Sequence, residues 1–76
     1  MTIKEIKKHL MSLTGHILFE YKGQSCGIDP LSQNEFNMWY GSEGIAVTSI
    51  DEVMTVKFFN GKSLEEIWND ITGLEF

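Results

Sequence analysis

The chain has 76 residues, with six lysines, no arginine and eleven acidic residues, and its net charge at pH 7 is −5. An acidic chain repels a nucleic-acid backbone, and this one lacks arginine, the side chain that usually forms paired hydrogen bonds with phosphate and guanine. We therefore expect no nucleic-acid partner. Its single cysteine excludes an internal disulfide, and no window approaches the roughly 18 apolar residues of a membrane span. We therefore expect a cytoplasmic protein without a membrane partner.

Residues 2–13 have the pattern of an amphipathic helix. Thr2 and Glu5 have the spacing of a capping box, in which each side chain accepts a free backbone N–H at the helix start. Four apolar side chains then share one helix face: Ile3, Ile6, Leu10 and Leu13. Gly15 is expected to end the helix.

Short alternating segments follow and predict an antiparallel sheet. Residues 16–22 and 24–29 are expected to form two strands joined by a tight glycine turn. The polar residues 29–34, which include a proline, are expected to form a loop. Residues 35–41 and 45–48 are expected to form the third and fourth strands.

The last third of the chain predicts a second helix. Residues 50–54 fit a single helical turn, whereas residues 55–59 fit either an edge strand or a buried loop. Ser63 and Glu66 have the capping-box spacing. Four apolar residues continue at helical intervals: Leu64, Ile67, Trp68 and Ile71. Gly73 is expected to end this helix.

These elements predict one α+β domain over residues 1–76. The expected architecture is a small two-layer sandwich with an N-terminal helix, an antiparallel sheet of three to four strands, and a C-terminal helix. Both helices are expected on one sheet face, because each has a single apolar stripe to bury. The other sheet face is then uncovered.

No residue pattern predicts a catalytic, cofactor or metal site. The fragment at 60–63, NGKS, lacks the earlier glycine of a phosphate-binding loop, because Val56 stands at that position. Cys26 with His9 or His16 is the only candidate for a nucleophile and its base, and a small strand cysteine is ordinarily a core residue. We therefore expect no catalytic residues, no metal and no cofactor.

Trp39 interrupts an otherwise ordinary strand pattern. Phe36 and Met38 fall on one face of the third strand, and Trp39 falls on the other. The face of Trp39 is expected to hold four further residues of the candidate interface: Leu18, Glu20, Asn37 and Thr48. An aromatic beside an aliphatic residue with a polar rim is typical of an interaction patch. Ordinary packing would also account for this tryptophan, if residues 54–59 cover it or a one-residue slip turns it inward.

The predicted function is a small non-enzymatic protein-interaction or assembly module. So small a domain has a marginal core, and a partner would stabilise it. We expect self-association through the uncovered face around Trp39, in a two-fold symmetric form, or binding of another protein. The alternative is a small-molecule binding protein or minor enzyme with a pocket between helices and sheet. A third possibility, an acidic mimic of nucleic acid, is suggested by charge alone.

Overall fold

The computed structural model describes residues 2–13 and 15–76, which form a small α+β fold with a five-stranded antiparallel sheet and three α-helices. In chain order the elements are α1 (Ile3–Met11), β1 (Ile17–Tyr21), β2 (Gln24–Ser32), β3 (Glu35–Tyr40), β4 (Glu43–Val47), α2 (Ile50–Thr55), α3 (Leu64–Ile67), a 3-10 turn (Trp68–Asp70) and β5 (Thr72–Glu75).

The sheet has the order β4-β3-β2-β1-β5. The first four strands follow one another as hairpins, so chain neighbours are also sheet neighbours. The last strand returns from the far end of the sequence and pairs antiparallel with β1. β4 and β5 are therefore the two edges, and β2 lies at the centre.

The prediction of three to four strands was wrong, because the chain ends in a fifth strand. The predicted C-terminal helix is also shorter than its apolar stripe suggested. α3 has four residues and continues as one 3-10 turn, after which Ile71 is extended. Gly73 then lies within β5 and does not cap a helix. Residues 72–75 form backbone hydrogen bonds with the free edge of β1. The stability gained from this pairing exceeds the local preference for a helix that the apolar periodicity indicates.

β2 is longer than expected and includes the segment predicted as a loop. It runs to Ser32, through Pro30. Pairing between β1 and β2 stops at Ile17 opposite Ile28, so the rest of β2 pairs with β3 alone. Pro30 lacks a backbone N–H and cannot donate a hydrogen bond. It lies in the part of β2 that has no neighbouring strand on the β1 side, where no acceptor is left without a donor.

The start of α1 is formed as the sequence predicts. The Glu5 backbone N–H donates to Thr2 Oγ1 at 3.2 Å, and the Thr2 N–H donates to Glu5 Oε1 at 2.9 Å. The helix ends earlier than expected, with Ser12 as its C-cap and Leu13 in the left-handed region at φ 57°. Gly15 therefore lies outside the helix end.

One hydrophobic core collects side chains from the helices and from alternating strand positions. In the strands its buried members include Ile17, Phe19, Tyr21, Cys26, Ile28, Phe36, Met38 and Val47. From the helices it takes Ile6, Leu10, Val53, Met54, Leu64 and Ile67. Phe59, in the segment after α2, is also fully buried in this core. Residues 56–58 belong to no helix or strand, so this segment is a loop and not an edge strand.

Candidate interaction surface

The phase of β3 is the predicted one. Phe36 and Met38 are buried at 0% and 1% exposure, Asn37 between them is exposed, and Trp39 is half-buried. Because successive side chains point to opposite sides of a strand, Trp39 lies on the face opposite Met38. A one-residue slip, which would have turned Trp39 into the core, has not occurred.

The strand register places five residues, one from each strand, in a row across the side of the sheet that carries Trp39. Their order across the sheet is Gly44, Trp39, Gly27, Leu18 and Glu75. We call this side of the sheet the Trp39 face; it also includes residues at alternate positions along β1, β2 and β3, namely Glu20, Ser25, Asp29, Glu35 and Asn37.

The Trp39 indole lies directly on the backbone of Gly27. A Cβ atom built on Gly27 would be 2.1 Å from Cζ2 of the indole and 2.5 Å from Cη2, closer than any real contact. On the other side of Trp39, a Cβ on Gly44 would meet only the Met38 carbonyl oxygen at 3.5 Å. The ring therefore leans toward β2, and the missing side chain at Gly27 makes that position available.

A groove of about 350 Å³ opens beside the indole. Its lining includes Leu18, Glu20, Ser25, Trp39, Gly73 and Glu75. The groove thus combines an aromatic ring and an aliphatic side chain with two carboxylates, both on exposed residues. Such a surface suits a partner group that has both apolar and cationic character.

The Trp39 face carries charge of one sign only. Four of its residues are acidic: Glu20, Asp29, Glu35 and Glu75. Among the residues of β1 to β5 there is no lysine. Within the described strands, the carboxylates on this face therefore have no side-chain cation beside them.

Four of the five predicted interface residues come together on this face: Leu18, Glu20, Asn37 and Trp39. Thr48 does not join them, because it lies beyond the end of β4. Its hydroxyl donates to Glu52 Oε1 at 2.7 Å, and this bond lowers the pKa of that carboxyl. Thr48 thus contributes to the start of α2.

Sequence reasoning missed the contributions of Gly27, Gly73 and Glu75. The last two were missed because their segment was predicted to follow a helix. Gly27 had a readable signal, since an isolated glycine inside a strand often marks a close approach of another group to the backbone.

The segment between α2 and α3 does not cover Trp39. The Phe59 ring lies 5.6 Å from Phe19 and 6.3 Å from Tyr40, measured between ring centroids. Phe19 is a core residue and Tyr40 packs against the core, so this segment packs on the opposite side of the sheet from Trp39. The contact that the structure gives the Trp39 ring is with Gly27 of the neighbouring strand.

The remaining candidates for chemistry have structural roles. Cys26 is 1% exposed, its thiol donates to the Gln24 carbonyl oxygen at 3.5 Å, and burial raises its pKa, so its reactive thiolate is disfavoured. Asn60 and Gly61 form a left-handed turn, after which Ser63 caps α3. Residues 2–13 and 15–76 contain no cluster of three or more residues suited to hold a metal ion.

Comparisons of the chain with protein-family models, with curated proteins and with solved structures gave no match. Within the described ranges, none of the helices is both long enough and apolar enough to cross a membrane.

Proposed function

We propose that this chain is a non-enzymatic protein-interaction module that self-associates through the Trp39 face. The observation that carries the proposal is the half-buried Trp39 indole, whose Cζ2, Cη2 and Cε2 atoms lie against Gly27 in the middle of a sheet face. Tryptophan is the residue type most enriched among those that dominate binding energy. An indole already fixed against backbone also loses little conformational freedom when a partner covers it, which favours affinity.

We infer further that the fold is a two-layer sandwich, with its helices on the side of the sheet opposite Trp39. Ile6 of α1, Val53 of α2 and Ile67 of α3 share one core cluster with Ile17 and Met38 of the sheet. These two strand residues alternate with residues of the Trp39 face. Under this arrangement the Trp39 face has no second layer, and a partner would supply one.

The small-molecule alternative has less support. The space between the helices and the sheet is filled by fully buried side chains, among them Phe36, Met38 and Phe59. The candidate nucleophile Cys26 is part of the same packing. This region therefore has neither the empty space that a ligand would need nor an accessible thiolate that could act as a nucleophile.

The size of the face sets the expected strength of association. Five strands at about 4.8 Å spacing and roughly 18 Å length give a face of roughly 400 Å². A standard interface takes about 800 Å² from each partner. The flat outline of the sheet is about half of that accessible area, and the relief of the side chains makes up part of the difference, so we expect weak, concentration-dependent association, strengthened by any contacts outside the sheet.

Sedimentation equilibrium from low to high micromolar concentration tests the proposal. We expect the average mass of the wild-type chain to rise with concentration, and the Trp39→Ala variant to remain monomeric. Leu13→Ala is the matched control, because Leu13 is 41% exposed, apolar and outside the Trp39 face. Circular dichroism establishes that both variants are folded. A monomeric wild type, or a folded Trp39→Ala variant that associates as the wild type does, would overturn the proposal.

A further inference from the structure

The outer side of α1 carries the opposite charge to the Trp39 face. Lys4 and Lys8 lie one helical turn apart and are exposed, and Met11, which is 37% exposed, follows near the helix end. We call these three residues the lysine stripe. The third lysine of the helix, Lys7, has a partner already, since its Nζ lies 3.3 Å from Asp51 Oδ1.

The groove beside Trp39 has the chemistry to receive a lysine side chain. An ammonium group over an indole face is attracted by the negative electrostatic potential of the electron-rich π system, and the lysine methylenes can pack on apolar surface. Glu20 and Glu75 line the same groove and supply opposite charge. Because the chain contains no arginine, lysine is the only permanently charged basic side chain that a second copy can offer.

We propose that the Trp39 groove of one copy binds the lysine stripe of a second copy. This inference rests on the proposed self-association and specifies its geometry. The two contacting surfaces differ, so the interface is heterologous, and repeated copies form either a closed ring or an open chain. The two-fold form expected from the sequence is disfavoured, because the charged groups that two Trp39 faces would bring together are all carboxylates.

The spacing of the charged groups is compatible with this contact. Four residues of α-helix separate Lys4 from Lys8 by about 6 Å along the axis. Leu18 is paired with Glu75, and Glu20 lies two residues further along β1, so Glu20 and Glu75 have Cα atoms roughly 8 Å apart. Long, flexible lysine side chains span the difference, and Met11 adds apolar contact beside the two cations.

A mixing experiment tests the inference. The first variant, Lys4→Glu/Lys8→Glu, reverses the stripe and leaves the groove intact. The second, Glu20→Lys/Glu75→Lys, reverses the groove and leaves the stripe intact. Trp39→Ala serves as a second groove variant, without a change of charge. Lys62→Glu and Asp70→Lys are single charge reversals at exposed positions outside both surfaces.

We expect the stripe variant and both groove variants to be monomeric on their own, with association weakened at least about tenfold. Mixing the stripe variant with Trp39→Ala should restore a 1:1 complex, because one copy keeps the stripe and the other keeps the groove. The two control variants should associate as the wild type does.

The remaining outcomes separate the two proposals. If the stripe variant alone still associates while Trp39→Ala does not, the face is the interface but its partner is not the lysine stripe, and the inference is overturned. If mixing restores nothing, the heterologous geometry is wrong. If the wild type itself stays monomeric, the proposed self-association fails first.

Discussion

At Gly27 the absence of a side chain decides where the Trp39 ring lies. Gly27 has ordinary extended backbone, so an alanine there would not be strained in itself, but its Cβ would occupy the space of the indole at 2.1 Å. The ring would have to swing away from β2. Overpacking of this kind costs about 1–3 kcal/mol, although alanine regains part of the strand propensity that glycine lacks.

We therefore expect Gly27→Ala to lower the free energy of unfolding by about 1 kcal/mol and to expose the indole. The measurement is urea unfolding with Trp39 fluorescence, in a Trp68→Phe background so that a single indole reports. Gly44→Ala is the matched control, since its Cβ would make only an ordinary contact at 3.5 Å.

A double-mutant cycle isolates the cause. With Trp39→Ala already present, Gly27→Ala should no longer destabilise the protein, because the clash has been removed. An equal loss of stability with and without Trp39 would show that the glycine has some other role.

The strand phase around Trp39 could be predicted from the sequence, whereas the position of its ring could not. The phase of β3 was readable because Phe36 and Met38 alternate with Asn37 and Trp39 over a buried face, and a slip would have exposed the core residues. The position of the indole ring could not be predicted from the sequence, because it depends on which residue of β2 lies opposite Trp39. That register is a property of the folded hairpin and not of either strand alone.

At the scale of elements, three short helices begin at residues whose side chains accept backbone N–H groups. The caps at Thr2, Ser49 and Ser63 are all present. These starts were predictable because a cap depends on residues within one turn. The helix ends were not predictable in the same way. Whether residues 71–75 continue α3 or form a strand depends on pairing with β1, more than fifty residues earlier in the chain.

The start of α3 gives a pH-dependent prediction. Glu66 Oε1 accepts from the Ser63 backbone N–H at 2.9 Å and from Lys57 Nζ. The bond from Lys57, followed by the one from Ser63, lowers the pKa of Glu66 from 4.5 to about 2. Because the folded-state pKa is lowered, the ionised carboxylate stabilises the fold above pH 4.5, and this contribution is lost as the pH falls toward about 2.

We expect Glu66→Gln to be less stable than the wild type at neutral pH and the difference to shrink as the pH is lowered through this window. Chemical unfolding at a series of pH values measures it. Glu65→Gln is the control, because Glu65 lies in the same helical turn and its side chain, among the described residues, makes no hydrogen bond or ion pair. A difference between wild type and Glu66→Gln that does not change down to pH 2 would contradict the assignment.

At the scale of the whole molecule, charge is divided between two surfaces. Residues 1–13 contain three lysines and one glutamate, whereas the strands contain acidic residues and no lysine. The sequence shows this division along the chain, but only the fold shows that the acidic residues Glu20 and Glu75 flank an aromatic groove. A net charge of −5 therefore conceals two surfaces of opposite charge, and the proposed head-to-tail association uses this difference.

This division predicts a melting temperature that depends on protein concentration and on salt. A partner that binds only the folded chain stabilises it by about 1.4 kcal/mol at ten times the dissociation constant. For a domain of this size 1 kcal/mol shifts the melting temperature by about 4–8 °C, so we expect a rise of roughly 6–11 °C between dilute and concentrated samples. In about 1 M salt the screening length falls to about 3 Å, and the attraction between stripe and groove should largely disappear.

Calorimetry at two protein concentrations, each in low and high salt, measures the effect, with Trp39→Ala as the control whose melting temperature should not depend on concentration. A concentration dependence that persists undiminished in high salt would indicate an apolar interface and contradict the electrostatic one argued from Glu20, Glu75 and the lysine stripe.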